Sequence, residues 1–130
     1  MNKLVRIGTR GSGLALWQAR QVQNMLGTVG LKSELVPISS SGDKELQKPL
    51  YGMGVQGIFT KELDVALLEG QIDVAVHSMK DVPTQLPKGI TTAFIPKRGP
   101  VADVFISKDD AWEDNKSMVA TSSLRRAAQW

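Results

Sequence analysis

Several groups of basic and hydroxyl residues in this sequence have the chemistry needed to bind a ligand that carries carboxylates. The guanidinium group of arginine forms two parallel hydrogen bonds to a carboxylate, which the ammonium group of lysine cannot do. Serine and threonine hydroxyls add further donors. There are four such groups: Arg10 with Ser12; Ser39–Asp43; Ser78 with Lys80 and Asp81; and Thr121, Ser122 and Ser123 with Arg125 and Arg126. Together they would suit a ligand with several carboxylates.

Each group also has a purely structural interpretation. A serine that precedes a helix is more often a helix cap than a ligand contact. Arg125 and Arg126 could lie on a solvated helix face, and Asp81 beside Lys80 could be a surface ion pair. His77 is the only histidine in the sequence, and a single histidine without a second ligand at suitable spacing predicts no metal site.

The first half of the sequence predicts two strands joined by a helix. Leu4–Thr9 and Ser33–Ser39 are short segments with the β-branched residues typical of strands. Between them a helix is predicted that ends at Gly27. Its buried face is formed by apolar residues at helical spacing: Ala15, Ala19, Val22 and Leu26.

The second half continues this alternation after a glycine-rich segment. Residues 40–57 have few core candidates, and we expect them to form a mobile flap. A second helix is predicted to end at Gly70, with an apolar face made of Phe59, Leu63, Ala66 and Leu67. The continuous apolar run Ile72–Val76 predicts a strand buried on both faces. Three more strands are predicted at 90–96, 102–107 and 117–121, followed by a helix that Ser122 and Ser123 could cap.

Alternating strands and helices predict an α/β domain with a mainly parallel sheet flanked by helices. In such sheets ligands bind outside the carboxyl ends of the strands. All four polar groups follow predicted strands, so we expect them to meet in one crevice. Two of them also open helices, where unpaired N–H groups and the helix dipole favour an anion.

Composition narrows the class of protein. The 130 residues are 42% hydrophobic and 22% charged, which is typical of one globular domain and excludes a disordered chain. No apolar run is long enough to span a membrane, and the beginning of the chain lacks a signal-peptide core. The absence of cysteine favours a cytoplasmic protein. The net charge is only +3 and aromatic residues make up 5%, so we expect no nucleic-acid partner, and we expect no membrane partner either. The last helix stops at Trp130 in its second turn, which predicts a fragment of a longer protein.

Four segments of this sequence resemble the porphobilinogen deaminase (hydroxymethylbilane synthase) family. They are Ile7–Gln18 (IGTRGSGLALWQ), Gly57–Leu63 (GIFTKEL), Val76–Pro83 (VHSMKDVP) and Ala120–Arg126 (ATSSLRR), and they occur in family order with family spacing. The resemblance implies a three-domain protein whose first two domains resemble a periplasmic binding protein, with the active site in the cleft between them. Residues 1–98 would then form domain 1, and residues 99–130 the crossover and the start of a truncated domain 2.

The resemblance also implies the activity. Family members are transferases that join four porphobilinogen molecules head to tail, release ammonia each time and yield hydroxymethylbilane for tetrapyrrole and heme biosynthesis. A dipyrromethane cofactor primes the reaction and is attached to a cysteine. Because this sequence has no cysteine, that cysteine is expected in a C-terminal part absent from this chain. The full-length protein is expected to be a monomer, and this fragment alone is expected to be inactive.

Roles for individual residues follow from the same resemblance. Asp81 matches the catalytic acid, which stabilises the cationic pyrrole left when ammonia departs. Arg10, Arg125 and Arg126 match arginines that bind carboxylates of the cofactor and the growing chain. Cofactor contacts are matched by Ser78, Lys80, Thr121, Ser122 and Ser123, Gln18 lines the cleft, and Ser12 joins Arg10 in the first binding group.

The sequence departs from the family at two positions of the predicted flap, and two functions other than this enzyme activity are also compatible with it. Many relatives have lysines at the positions of Gly52 and Gln56, so the flap contributes less charge here unless Lys48 or Lys61 substitutes. A non-enzymatic polycarboxylate-binding module of the same fold would conserve the crevice without the chemistry. A structural domain with an anion pocket is the third possibility. Turnover of porphobilinogen separates the enzyme from both alternatives.

Overall fold

The computed structural model describes residues 3–39, 60–107 and 118–129. By the contacts between residues, the chain divides into two units, Met1–Phe94 and Ile95–Trp130. The predicted flap at residues 40–57 and Phe59 lie outside the described residues, as do Gly52, Gln56, Lys48 and most of Ser39–Asp43. Each unit is described separately below.

The described part of the first unit contains a sheet of three parallel strands in the order β2-β1-β3. Strand β1 (Val5–Thr9) pairs with β2 (Ser33–Pro37) from Val5 opposite Ser33 to Thr9 opposite Pro37. On its other side β1 pairs with β3 (Val74–Ala75), with Ile7 opposite Val74. The predicted α/β class with a mainly parallel sheet is confirmed, and the described strands are all parallel.

Helix α1 (Gly13–Thr28) connects β1 to β2. Ala15 and Ala19 are buried, as predicted, and Val22 and Leu26 are half-buried. The prediction that Gly27 ends this helix is wrong, because the helix continues to Thr28 and the turn is made by Gly30 at φ +79°. The Gly30 N–H donates to the Gly27 carbonyl and the Leu31 N–H to the Leu26 carbonyl, a pairing that places a residue with positive φ after the helix.

Helix α2 (Lys61–Leu68) precedes β3 and packs on the sheet through Leu63 and Ala66, which are both buried. The helix ends at Leu68, before the predicted Gly70, which lies in the turn that follows and has a φ of +67°. The core of the unit lies between this helix and β1, where Leu63, Ala66 and Ile72 form a cluster. A Cβ atom at Gly8 would lie 2.2 Å from Cδ1 of Ile72, so the side chains of the cluster pack directly on the backbone of β1.

The amino-terminal ends of β1 and β3 are held together by charge. The carboxylate of Asp73, just before β3, accepts hydrogen bonds from the Arg6 guanidinium at 3.0 and 3.1 Å and from the Arg6 backbone N–H at 2.9 Å. Lys3 Nζ adds a further bond of 2.8 Å. These bonds, with those from Arg6 as the largest cause, hold the pKa of Asp73 well below its usual range. The carboxyl ends of the two strands are thereby set side by side.

The strand predictions in the rest of the chain are wrong in part. Within Ile72–Val76 only Val74 and Ala75 form a strand, and both are half-buried because no described strand covers the outer side of β3. Residues 90–96, 102–107 and 118–121 form no strand, and 91–107 are exposed throughout. Their apolar, β-branched composition is suited to a sheet, but a strand also needs a neighbouring backbone to pair with, and the described residues provide none.

The second unit contains helix α3 (Leu124–Gln129). The predicted cap is confirmed, since Ser123 Oγ accepts a hydrogen bond from the Arg126 N–H at 3.3 Å.

Among the described residues, no helix has the length and apolarity required to cross a membrane. The same residues contain no group of three or more histidine, cysteine, aspartate or glutamate side chains arranged to hold a metal ion.

Candidate functional site

The carboxyl ends of β1 and β3 form one pocket in the first unit. The chain leaves β1 at Thr9 and continues through Arg10 to Ser12, while β3 leads through Val76 to Ser78. The pocket has a volume of about 80 Å³, and its polar lining comprises Arg10, Ser12, Gln18, His77, Ser78, Lys80 and Asp81. All six of the predicted site residues that belong to this unit therefore line one pocket.

Asp81 faces Arg10 across this pocket. The distance from Arg10 Nη1 to Asp81 Oδ2 is 3.8 Å, and the side chains are only 18% and 19% exposed. This is close enough for an ion pair but too long for a hydrogen bond. Arg10 therefore places a positive charge opposite Asp81 without occupying its hydrogen-bond acceptors.

A short 3-10 helix, Met79–Asp81, fixes the backbone that carries Asp81. The Asp81 N–H donates to the Ser78 carbonyl at 2.9 Å, and the Val82 N–H donates to the Met79 carbonyl at 3.2 Å. Ser78 is in turn tied to helix α1, because its Oγ donates to Gln18 Oε1 at 2.9 Å. The turn that presents Asp81 is thus braced against the first helix.

Ser12 and Lys80 differ in whether their side chains already interact with another residue of the protein. Ser12 Oγ accepts a hydrogen bond from the Ala15 N–H at 3.4 Å and so caps helix α1, while it also lines the pocket. Lys80 is exposed and forms no ion pair with another residue in the described parts of the chain. Its ammonium group is available to an anionic ligand.

The protonation of His77, which lines the pocket, is influenced by its surroundings. Burial lowers the pKa of His77 below its ordinary value of 6.5. The carboxylates of Asp64 and Asp81 oppose this shift, and the nearby charge of Arg10 adds to it. The ring is therefore neutral at physiological pH and contributes no charge to the pocket.

The remaining predicted site residues lie in the second unit, around the beginning of α3. Thr121 Oγ1 accepts from the Ser123 N–H at 3.1 Å, and Ser122 is exposed. Arg125 Nη1 donates to Gln129 Oε1 at 3.0 Å on the same helix. Arg126 instead binds the carboxylate of Asp103 through two hydrogen bonds. Whether this set meets the pocket of the first unit stays a prediction.

Two residues near these sites were not among the site residues predicted from the sequence. Asp103 lies 23 residues before Arg126, and no local pattern indicates such a contact. His77 comes shortly after β3, where a histidine can be either a structural residue or a pocket residue.

Lys61 was considered as a substitute for the lysines that the flap lacks. It lines a different groove, together with Val65, Leu68 and Pro83.

The fold and the pocket together define the class of protein: an α/β domain with a charged pocket at the carboxyl ends of parallel strands, the usual place for ligands in such folds. Comparison with known proteins gives the family. Residues 5–130 match the family described as "Porphobilinogen deaminase, dipyromethane cofactor binding domain", so the chain belongs to the porphobilinogen deaminase family.

Two curated relatives have the same name. The porphobilinogen deaminase of Syntrophotalea carbinolica is 48% identical over 96% of this chain and 41% of its own length. That of Desulfitobacterium hafniense is 50% identical over 96% of this chain and 42% of its own length. The chain thus spans about two fifths of the length of these relatives.

Proposed function

We propose that this chain is part of an enzyme that condenses four porphobilinogen molecules, with release of ammonia at each step, to give hydroxymethylbilane. The observation that carries the proposal is the pairing of Arg10 with Asp81 in one partly buried pocket. Porphobilinogen has an acetate and a propionate on its pyrrole ring, so a site for it needs cations for the carboxylates and an acceptor for the ring N–H. The pocket supplies both.

Asp81 has the role of stabilising positive charge. When the C–N bond of the substrate's protonated aminomethyl group breaks, the electron pair leaves with ammonia and the pyrrole keeps the positive charge. The Asp81 carboxylate accepts a hydrogen bond from the pyrrole N–H and balances this charge. The electron-deficient carbon then bonds to a pyrrole α-carbon, which loses its proton. An amide at position 81 would keep the shape but not the charge.

The residues of the pocket fit the dipyrromethane cofactor, which consists of two linked pyrroles with the same carboxylate substituents. Arg10 and Lys80 are suited to its carboxylates, the hydroxyls of Ser12 and Ser78 add donors, and Asp81 accepts from its N–H groups. When bound, the cofactor supplies the pyrrole on which the first substrate is added. Its cysteine anchor would lie outside this sequence, which contains no cysteine.

The second binding set would add to this site in the complete protein. Thr121, Ser122 and Ser123 provide hydroxyl and backbone donors, and Arg125 and Arg126 provide guanidinium groups for carboxylates of the growing chain. We further propose that residues 1–98 form one domain and residues 99–130 begin the next, with the site in the cleft between them. A crystal structure of the full-length protein with porphobilinogen would test this arrangement.

The deciding experiment is turnover of porphobilinogen by the full-length gene product. We expect hydroxymethylbilane to form with the release of four molecules of ammonia for each molecule of product. In Asp81→Asn, kcat should fall by about 10²- to 10⁴-fold, the range typical of a lost catalytic acid or base, with no change in thermal unfolding. Glu69→Gln removes an exposed carboxylate from the end of α2 and is the matched control.

The outcomes separate the candidate functions. If the wild-type protein binds porphobilinogen and returns it unchanged, the chain is part of a non-enzymatic binding module. If the wild-type protein is active and Asp81→Asn retains its rate, the activity stands but Asp81 is not the catalytic acid.

We also propose that the protein is cytoplasmic and monomeric. The cytoplasmic location is supported by the absence of cysteine from this sequence. Cell fractionation and native mass spectrometry test these two points.

A further inference from the structure

Arg126 is held by Asp103 in a two-point contact within the second unit. The Nε and Nη2 atoms of Arg126 donate to the two carboxylate oxygens of Asp103 at 3.0 and 2.5 Å. Such parallel, charge-assisted bonds fix the plane of the guanidinium as well as its distance. The same bonds lower the pKa of Asp103, so it is ionised at neutral pH.

The contact uses only one edge of the guanidinium group. A guanidinium can bind a carboxylate through Nε and Nη2 or through Nη1 and Nη2, since it has five N–H donors. Asp103 takes the first edge, and the side chain of Arg126 remains 52% exposed. The Nη1–Nη2 edge can therefore bind a second carboxylate while Asp103 stays in place.

The backbone of Arg126 is fixed as well. Its N–H donates to Ser123 Oγ, and the Ala127 N–H donates to the Ser123 carbonyl at 3.0 Å, so the residue lies in a capped first turn. Arg125 differs, because the hydrogen bond of its guanidinium among the described residues goes to the neutral amide of Gln129 and it forms no two-point contact with a carboxylate. Of the two neighbouring arginines, Arg126 is thus the one whose guanidinium is fixed at two points before any ligand binds.

We propose that Asp103 is a positioning residue, which orients Arg126 so that its Nη1–Nη2 edge binds a carboxylate of the substrate or the growing chain. The inference rests on the proposed function, in which Arg126 binds carboxylates. An arginine that is already ordered loses less side-chain entropy on binding, so its affinity for the ligand is higher. Because both partners are more than half exposed, the ion pair itself contributes little to stability. Asp103 should therefore affect binding far more than folding.

The test is steady-state kinetics of full-length Asp103→Ala and Asp103→Asn with porphobilinogen. We expect KM to rise by roughly three- to tenfold, the effect of leaving one long side chain unordered, with kcat and the midpoint of thermal unfolding little changed. Asp103→Glu keeps the two-point acceptor and should recover most of the wild-type KM. Glu69→Gln, which removes an exposed carboxylate of the first unit, is the control and should leave KM unchanged.

A double-mutant cycle shows whether Asp103 acts through Arg126. Lysine cannot form the two-point contact, so Asp103→Ala should raise KM in the wild-type background and have no further effect in Arg126→Lys. An equal rise in both backgrounds would overturn the proposal. So would an unchanged KM, or a lower one, which would mean that Asp103 competes with the ligand. A wild-type protein without turnover would contradict the proposed function instead, and the two failures are thus distinguishable.

Discussion

At the scale of single residues, the surroundings of His77 in the pocket change its pKa. The ring lies among Asp64, Asp81 and Arg10, so it is exposed to charges of both signs, and burial is nevertheless the largest influence on its pKa. A neutral ring leaves the positive charge opposite Asp81 to Arg10. The folded protein consequently resists protonation of His77.

This resistance predicts a pH-dependent stability. The pKa of His77 is lower in the folded than in the unfolded state, so below about pH 6.5 the unfolded chain binds a proton more readily. The free energy of unfolding should therefore fall as pH drops below that value and level off once the folded state is protonated too. In His77→Gln this component should disappear. Denaturant unfolding of the full-length protein and the variant between about pH 8 and pH 5 measures the difference.

A stability difference between wild type and His77→Gln that is constant over this range would contradict the prediction. So would a difference that moves in favour of the wild type on acidification, since that requires a raised pKa in the folded state. An NMR titration of the His77 ring gives the same information directly, because its midpoint should lie below 6.5.

The chemical types of the site residues could be predicted from the sequence, but their contacts could not. Arg10, Ser78 and Asp81 each follow a strand of a parallel sheet, and that position alone predicts a shared pocket. The contact between Asp103 and Arg126 joins residues that are 23 positions apart, and no helical or strand periodicity specifies it. Long-range ion pairs depend on where the chain returns, which local patterns do not encode.

At the scale of elements, Gly8 determines how closely α2 and the segment before β3 approach the central strand. A Cβ atom there would lie 2.2 Å from Cδ1 of Ile72 and 2.9 Å from Cδ2 of Leu63. Both neighbours are almost fully buried and have little room to move. Gly8 is followed by Thr9, the last residue of β1, and by Arg10, which lines the pocket. This packing therefore also fixes the position of the end of β1 relative to the pocket.

We therefore expect Gly8→Ala to lower the free energy of unfolding by about 1–3 kcal/mol, the typical cost of overpacking a core. Gly27→Ala is the matched control, because no atom lies within 4 Å of its added Cβ and the position is helical. That variant should be neutral or stabilise by up to about 1 kcal/mol, as alanine favours a helix. Chemical denaturation of the two full-length variants distinguishes them. Equal stabilities would mean that Ile72 and Leu63 repack freely.

Elements supported by local signals were predicted well, and those that need distant partners were not. Helix α1, helix α2 and the turn at Gly70 follow from apolar spacing and glycine placement. The end of α1 was misplaced because Gly27 and Gly30 both lie near it, and only the backbone conformation, with Gly30 at φ +79°, decides between them. The strands predicted over 90–107 failed because β-branched composition specifies an extended chain but not the strand that pairs with it.

At the scale of the whole molecule, each of the two units carries residues that the proposed function assigns to the binding of carboxylates. The first unit holds Asp81, Arg10 and Lys80, and the second holds Arg125 and Arg126. Under that proposal, neither set alone has enough cations for a ligand with as many carboxylates as a chain of linked pyrroles. Activity is therefore expected only of the complete protein, in which the remaining length seen in the relatives can supply the cofactor anchor.

A native mass spectrum of the full-length gene product tests this expectation. We expect a monomer that carries a covalent adduct with the mass of a dipyrrole, because a site rich in cations and with the Asp81 acceptor is suited to hold such a group. Peptide mapping should place the adduct on a cysteine outside the present sequence, which has none. Incubation with porphobilinogen should add masses of single pyrrole units, and in Asp81→Asn these additions should be slowed. A bare polypeptide that stays bare with porphobilinogen would mean that the family's fold is present without its chemistry.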